Sequence, residues 1–245
     1  MNYKKFYEWY HRDRKLPRRI ISNKNFTYRI IISVLDKYCT SKEVFDVGSG
    51  VGTLDFYLAN QGKQITGIEI SDRAFKIALK SQKKFKLEQR INFIRTDFYR
   101  YKSNKTYNFV ICSEVLEHLK DDKPALEKIS KFVKKGGLLL LTVPSSNAPL
   151  KYFGVIKAFD KRSGHLRRYS MSQIIPYLSN FGFKVIFKQK SEGIIRNALF
   201  FFKWGNPIIR VANKFAVISD FITFMDNISL KLFGESQIIV IAKKI

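Results

Sequence analysis

The chain has 245 residues, 45% of them hydrophobic, which supports one α/β domain with embellishments and excludes global disorder. Its 45 lysines and arginines face 20 acidic residues, a net charge of +25 that either attracts polyanions (nucleic acid, an anionic membrane surface, phosphorylated substrates) or does no more than solvate the surface. Two cysteines, Cys39 and Cys112, exclude a disulfide framework, show no metal-ligand spacing and fit a reducing cytoplasm. The start of the chain lacks the apolar stretch of a signal peptide. The longest uncharged runs, 136–150 and 169–183, are broken by Pro and Gly, so no transmembrane helix is expected.

Residues 1–39 read as a basic, aromatic lead-in, with Tyr3, Phe6, Tyr7 and Tyr10 at helical spacing and a second helix over 26–38. Strands and helices then alternate: strand 43–47, helix 52–61, strand 64–70, helix 72–87, strand 91–96, strand 107–112, helix 122–134, strand 136–144. That order implies a parallel sheet covered by helices on both faces. The lysines of the 72–87 helix (Lys76, Lys80, Lys83, Lys84, Lys86) read as its wet face. A basic insertion without clear period occupies 145–169. A Ser-capped helix follows it, ending near Gly182, and strand 184–189 comes next. The segment 190–235 is rich in Phe and Ile and precedes a last strand at 236–244. Residues 40–245 are therefore one domain carrying two insertions.

The turn after the first strand, Asp46-Val47-Gly48-Ser49-Gly50-Val51-Gly52, joins a strand to a helix. Its glycines let a ligand approach the backbone, and the helix start offers free N–H groups. The spacing G-x-G-x-G, with Thr53 where the dinucleotide fingerprint has glycine, counts against NAD, and no lysine follows to make a P-loop. Glu69 ends the second strand, where a carboxylate can accept bonds from ribose hydroxyls. Asp97 and Phe98 follow the third strand, placed to meet the amine and the ring face of adenine.

Together "FDVGSGVGTLDFYLA", "TGIEIS", "TDF", "VICSEVLEHL" and "KKGGLLLLTVPS" resemble, in order and spacing over about residues 40–190, the class I S-adenosylmethionine-dependent methyltransferases. The resemblance implies a Rossmann-like seven-stranded sheet of order 3-2-1-4-5-7-6, the last strand antiparallel. It implies S-adenosylmethionine as cofactor, held by Asp46, Gly48, Ser49, Gly50, Gly52, Glu69, Ile70, Asp97, Phe98, Cys112 and Glu114. Structural alternatives stay open for three of them: Asp46 as a loop cap, Phe98 as core and Cys112 as a small hydrophobe.

Methyl transfer from a sulfonium needs alignment and exclusion of water, worth up to ~7–11 kcal/mol, and a hydroxyl acceptor gains a further ~10²–10⁴-fold from a general base. Of the three histidines, His165 is the expected base, lying in the insertion after the fifth strand. His118, in "EVLEHL", is the lesser alternative, and His11 is assigned to a mobile lead-in. Arg167, Arg168 and Tyr169 read either as a clamp for an anionic group or as a solvated turn. Metal is not expected. The segment Cys112-Ser113-Glu114-Val115 lacks the proline motif of base-amine methylation, and neither cysteine has the setting of a cytosine-C5 nucleophile. The leading expectation is O-methylation of a small or lipid-linked hydroxyl compound at or near a membrane surface, the protein being cytoplasmic or peripheral at the inner face. The alternatives are an RNA methyltransferase and a non-catalytic basic binding module. The apolar insertion 190–235 could cap a substrate pocket, lie in a membrane interface, form a dimer contact or pack on the protein's own core.

Overall fold

Seven strands form one mixed sheet: β1 (Glu43–Val47), β2 (Gln64–Glu69), β3 (Ile91–Arg95), β4 (Tyr107–Ser113), β5 (Val133–Pro144), β6 (Phe183–Ser191) and β7 (Gln237–Lys244). The computed structural model describes residues 3–12 and 14–245, without the side chains of Tyr3, Lys4, Tyr152 and Phe153. The expected place of the Tyr3 side chain on the lead-in stripe therefore lies outside the described residues. The strand order is β3-β2-β1-β4-β5-β7-β6, with β7 antiparallel to both neighbours, as the resemblance implies. Central strands such as β1 and β4 are covered on both faces, which is why they read as apolar runs and not as alternating ones.

Helices α1 (Tyr3–Tyr10), α2 (Arg29–Tyr38), α3 (Thr53–Asn60), α4 (Asp72–Phe85), α5 (Asp122–Phe132), α6 (Val155–Ser163) and α7 (Met171–Asn180) precede the late insertion, which folds as α8 (Ile194–Phe201), α9 (Gly205–Ala212) and α10 (Ala216–Phe233). One core lies between the sheet and α5 and α7, where Leu126, Ile129, Ile174 and Leu178 meet Val110 and Leu139. The other lies beneath α2, α3 and α4, where Ile32, Leu35, Phe56 and Ala78 meet Val44 and Phe109. Burying side chains of this size contributes roughly 1.5–3 kcal/mol each, which fixes the strand ends that carry the site.

Local sequence sets the helix starts next to the site. The Ser71 hydroxyl caps α4 by accepting from Ala74 N at 3.2 Å, and Ser170 with Gln173 forms a reciprocal capping box at α7. In the turn from β1 to α3 the chain is left-handed at Gly48 (φ 76°) and Gly52 (φ 81°), and a Cβ would lie 2.5 Å from Val115 at the first and 2.7 Å from Phe93 at the second. Only glycine fits both the angle and the space.

Three expectations change. The second helix begins at Arg29, three residues later than its apolar period suggests. The 145–169 insertion is not irregular: it holds a 3₁₀ turn at Pro149–Phe153 and then α6. The lead-in is docked: the Glu8 carboxylate accepts from the backbone N–H groups of Asp72 and Arg73, the free donors at the start of α4. Among the described residues no helix is long and apolar enough to cross a membrane.

Candidate functional site

The carboxyl ends of β1, β2 and β4 lie level, with Val47 paired to Ile68 on one side and to Cys112 on the other. A cavity of about 720 Å³ opens above them. Val47, Gly48, Gly50, Glu69, Ile70, Asp97 and Phe98 line one end, and Glu114, His118, His165, Arg168 and Glu192 line the other. Ligands of open α/β sheets bind at this edge because helix N-termini and loop amides converge there.

The glycine-loop end is held by buried carboxylates. Glu69 accepts from Gly50 N at 2.9 Å through Oε2 and from Ser71 N at 2.7 Å through Oε1. Burial raises its pKa, and the two backbone donors temper the rise. Both oxygens keep acceptor capacity toward the cavity, as a diol-binding carboxylate requires. Asp46 sits beneath the loop, where burial pushes its carboxyl up to about 7. It is hydrogen-bonded to Asp55 of α3, whose pKa burial and Asp46 hold well above the ordinary carboxylate range. The Asp55 oxygens meet no other donor among the described residues. Asp97 accepts from Tyr99 N at 2.7 Å, which shapes the turn that presents Phe98 to the cavity. Gly52 and Ser49 shape the loop from outside the cavity wall, with Ser49 packed against Gly67. Cys112 is fully buried, off the wall, with its thiol pushed well up by burial, and it behaves as a small hydrophobe.

At the opposite end three side chains converge. His165 Nδ1 bonds Asp160 Oδ1 at 2.9 Å, and His118 Nδ1 bonds the Gly164 carbonyl at 3.2 Å. These bonds place the N–H on Nδ1 of each ring and leave each Nε2 as an acceptor. The Nε2 atoms lie 3.9 Å (His165) and 3.7 Å (His118) from Oε1 of the fully buried Glu117. Burial and Glu114 raise the Glu117 pKa well above normal, and neither of its oxygens has a hydrogen-bond partner among the described residues. Burial, with His165 adding to it, lowers His118 to about 4, so this ring is neutral near pH 7. Asp160 is itself fixed by Arg168, and against the upward push of burial His165 and Arg168 hold its carboxyl below the usual range. The donor atoms of Glu117, His118 and His165 lie within 4.8 Å of one another, a set able to take a divalent cation, with the Nδ1 partners that metal-bound histidines use. The sequence offered no such expectation.

Several wall residues have no counterpart in the sequence reading. Glu192 lies on the β6–α8 junction with φ 60°, lines the cavity, and is pushed up to about 7 by burial against the pull of Arg196. Asn197 of α8 donates to Ser236 and leaves its buried Oδ1 without a partner among the described residues. Tyr7, Tyr10 and His11 line the cavity as well, so the lead-in forms part of the wall, and burial lowers His11 to about 4. Arg167 donates to the Leu119 and Lys120 carbonyls. Tyr169 bonds Asp122 at 3.0 Å. Neither lines the cavity, so both hold the insertion against the sheet, and of the expected clamp only Arg168 reaches the wall, engaged by Asp160 and the Ser145 carbonyl.

The family described as "Methyltransferase domain" matches residues 12–187. The curated "Ubiquinone biosynthesis O-methyltransferase" of Nitrosomonas europaea is 31% identical over 124 residues, 49% of this chain and 51% of that protein. The protein of the same name from Rickettsia typhi is 28% identical over 116 residues, 47% of this chain and 46% of that one. The chain thus spans about half the length of the curated relatives it matches. The N-methyltransferase NodS of Bradyrhizobium japonicum, solved with S-adenosylhomocysteine, shares the fold at a TM-score of 0.63 and 16% identity over 100% of this chain and 99% of its own. The phosphoethanolamine N-methyltransferase 2 of Haemonchus contortus does so at 0.66 and 17% over 100% and 60%.

Proposed function

The chain belongs to the methyltransferase-domain family, and on that premise we propose that it moves the methyl group of S-adenosylmethionine to a hydroxyl of a small or lipid-linked acceptor, at or near a membrane surface. The observation that carries the reading is the division of one cavity into two ends: Glu69 and the glycine loop at one, the Asp160–His165 pair at the other. In this reading Glu69 accepts from the ribose hydroxyls, Phe98 packs on adenine beside Asp97, and the ionised form of Asp46 faces the amino-acid tail through the loop. The names of the curated relatives support an oxygen acceptor, and hydroxylated aromatic compounds with and without a hydrocarbon tail are the first to try.

The transfer is an in-line displacement. A lone pair of the acceptor oxygen forms the bond to the methyl carbon as the carbon–sulfur pair returns to sulfur, giving the neutral thioether. The hydroxyl proton passes to His165 Nε2, and Asp160 holds the ring in the tautomer that can take it. Glu192 and Asn197 offer polar contacts for the acceptor, and Phe200 and Phe201 of α8 give it an apolar wall. The RNA alternative rests on net charge alone.

The Glu117 oxygens, without a hydrogen-bond partner among the described residues, favour a second version of the chemistry, in which Glu117, His118 and His165 would hold a divalent cation and that cation would supply Lewis-acid activation of the acceptor hydroxyl. One experiment tests both versions: labelled S-adenosylmethionine with hydroxylated aromatic acceptors, before and after dialysis against a chelator. Turnover that survives dialysis excludes the cation version and leaves His165 as the base to be tested by substitution, and turnover lost and then restored by Mg²⁺ or Mn²⁺ identifies the cation version. Absence of transfer to any hydroxyl compound, with label entering RNA, overturns the reading.

A further inference from the structure

Helix α10 is built inside out. Ser219, Asp226 and Ser229 form its buried side, whereas Val217, Phe221, Phe224, Ile228 and Leu232, spaced four, three, four and four residues apart, are between 44% and 79% exposed. That spacing is one stripe of a helix. A helix of a water-soluble fold turns such a stripe to the core, and here polar contacts prevent it. Asp226 accepts from Gly193 N at 2.9 Å and from Arg196 N at 2.8 Å, and Ser229 accepts from Ile194 N at 3.1 Å. The three donors are free N–H groups at the start of α8, so α10 caps α8 with its polar side. The rotation of α10 is thereby fixed, and its apolar stripe faces outward.

The neighbouring surface continues the stripe. Val211 of α9 is exposed, and so are Trp204 and Phe215 at the two ends of that helix. Exposed cations border the patch: Lys203, Arg210, Lys214 and Lys231. Between residues 202 and 233 the only exposed acid is Asp220, which is ion-paired with Arg29. An apolar centre with a cationic border and a tryptophan at its margin matches the layering of an anionic bilayer surface: acyl chains, interface and headgroup charge. A second copy of the chain is a poor match, because a two-fold contact through this patch brings its cations against those of the partner. No described helix can span the bilayer, so contact is confined to the interface.

We propose that the outer face of α9 and α10 docks on an anionic lipid bilayer while α8, packed beneath them, completes the acceptor cavity with Asn197, Phe200 and Phe201. The docking surface stands on its own geometry, and only its link to the acceptor rests on the proposed function. Both aromatic rings chosen to test it, Phe221 and Phe224, are exposed and lie outside the cavity wall.

The test is flotation of the full chain with vesicles of phosphatidylglycerol and phosphatidylcholine, and with phosphatidylcholine alone. Trp204 fluorescence is followed in parallel in a Trp9→Phe background. The parent should float with the anionic vesicles with a blue-shifted Trp204 emission, and F221D/F224D should lose at least about tenfold in partitioning, with its melting temperature retained. F221S/F224S, which adds no charge, should show the same loss, which separates lost insertion from added repulsion. Undiminished flotation of the serine variant overturns the proposal. Parent flotation without a Trp204 shift also overturns it, because the contact is then charge adsorption alone. So does vesicle-independent dimerisation that these substitutions abolish. Calorimetric affinity for S-adenosylhomocysteine, measured on the same variants, should not change. Its absence in the parent as well would count against the methyltransferase reading and leave the docking result untouched.

Discussion

The two ends of the cavity are built on different principles. The glycine-loop end consists of backbone amides and carboxylates at the tips of adjacent parallel strands, where Glu69 and Gly50 are 19 residues apart in sequence and 2.9 Å apart in space. The histidine end is assembled across the molecule: the turn after β4 supplies Glu117 and His118, the α6 insertion supplies Asp160 and His165, and the β6–α8 junction supplies Glu192. One end is rigid because the sheet is rigid. The other depends on how two insertions and the lead-in settle against the sheet edge. A fold built this way can keep its donor site fixed while its acceptor site changes.

That division gives its largest expected effect at His165. In the proposed role His165→Ala should lower turnover ~10²–10⁴-fold and leave calorimetric affinity for S-adenosylhomocysteine unchanged. Matched losses of turnover and affinity would mean that the two ends are not separable. Next in size is Glu69→Ala. Charge-assisted hydrogen bonds contribute ~1.5–3 kcal/mol each, so the variant should bind S-adenosylhomocysteine roughly 10–100-fold more weakly. Glu69 also closes the loop through Gly50 and Ser71, so the comparison needs Glu69→Gln, which keeps the shape, loses the charge and retains an acceptor for one of the two backbone donors. A glutamine variant with parental affinity would remove the ribose role and leave only the loop closure.

The same division decides what could be read in advance. Parallel strands at a sheet centre show as apolar runs, and positive φ at Gly48 and Gly52 demands glycine, so the central strands and the loop were legible from the residues, whereas the strand order came with the family resemblance. Asp55 was not: in "TLDFYLA" it reads as one polar residue of a helix, and its role exists only where α3 brings it against Asp46. Glu117 stood inside a motif that drew attention to its histidine neighbour, and its lack of a hydrogen-bond partner among the described residues is something only a fold can reveal. The stripe of α10 was visible in sequence, but an apolar stripe ordinarily points inward. What reverses it is Asp226 meeting the start of α8, 33 residues upstream of it at Gly193. Likewise His11 is a wall residue in a lead-in whose Glu8 docks on α4, a contact between segments 64 residues apart.

The smallest effect is also the sharpest probe, because each end holds one carboxyl pushed up to about 7: Asp46 at the loop and Glu192 on the opposite wall. Both pKa values lie above their ordinary values of 3.8 and 4.5, so the folded chain binds these protons more tightly than the unfolded chain does. Their contribution to stability is complete below about pH 4 and is lost as pH rises through about 7. His11 and His118, lowered to about 4, act in the opposite sense: their contribution is present above about 6.5 and is lost as pH falls toward 4. Above about pH 6.5 the histidines are level in both states and the carboxyls dominate the slope. The melting temperature of the ligand-free protein should therefore fall by a few degrees between about pH 6.5 and 8, at ~2–4 °C per kcal/mol for a chain of this size. Asp46→Asn and Glu192→Gln should each remove part of that fall. Saturating S-adenosylhomocysteine carries an ammonium group toward the loop end, which favours ionised Asp46. It should cancel the Asp46 share alone and leave the Glu192 share intact. If the ligand flattens the slope equally in the Glu192→Gln and Asp46→Asn proteins, the two carboxyls report on one coupled site, and the separation of donor end from acceptor end is lost.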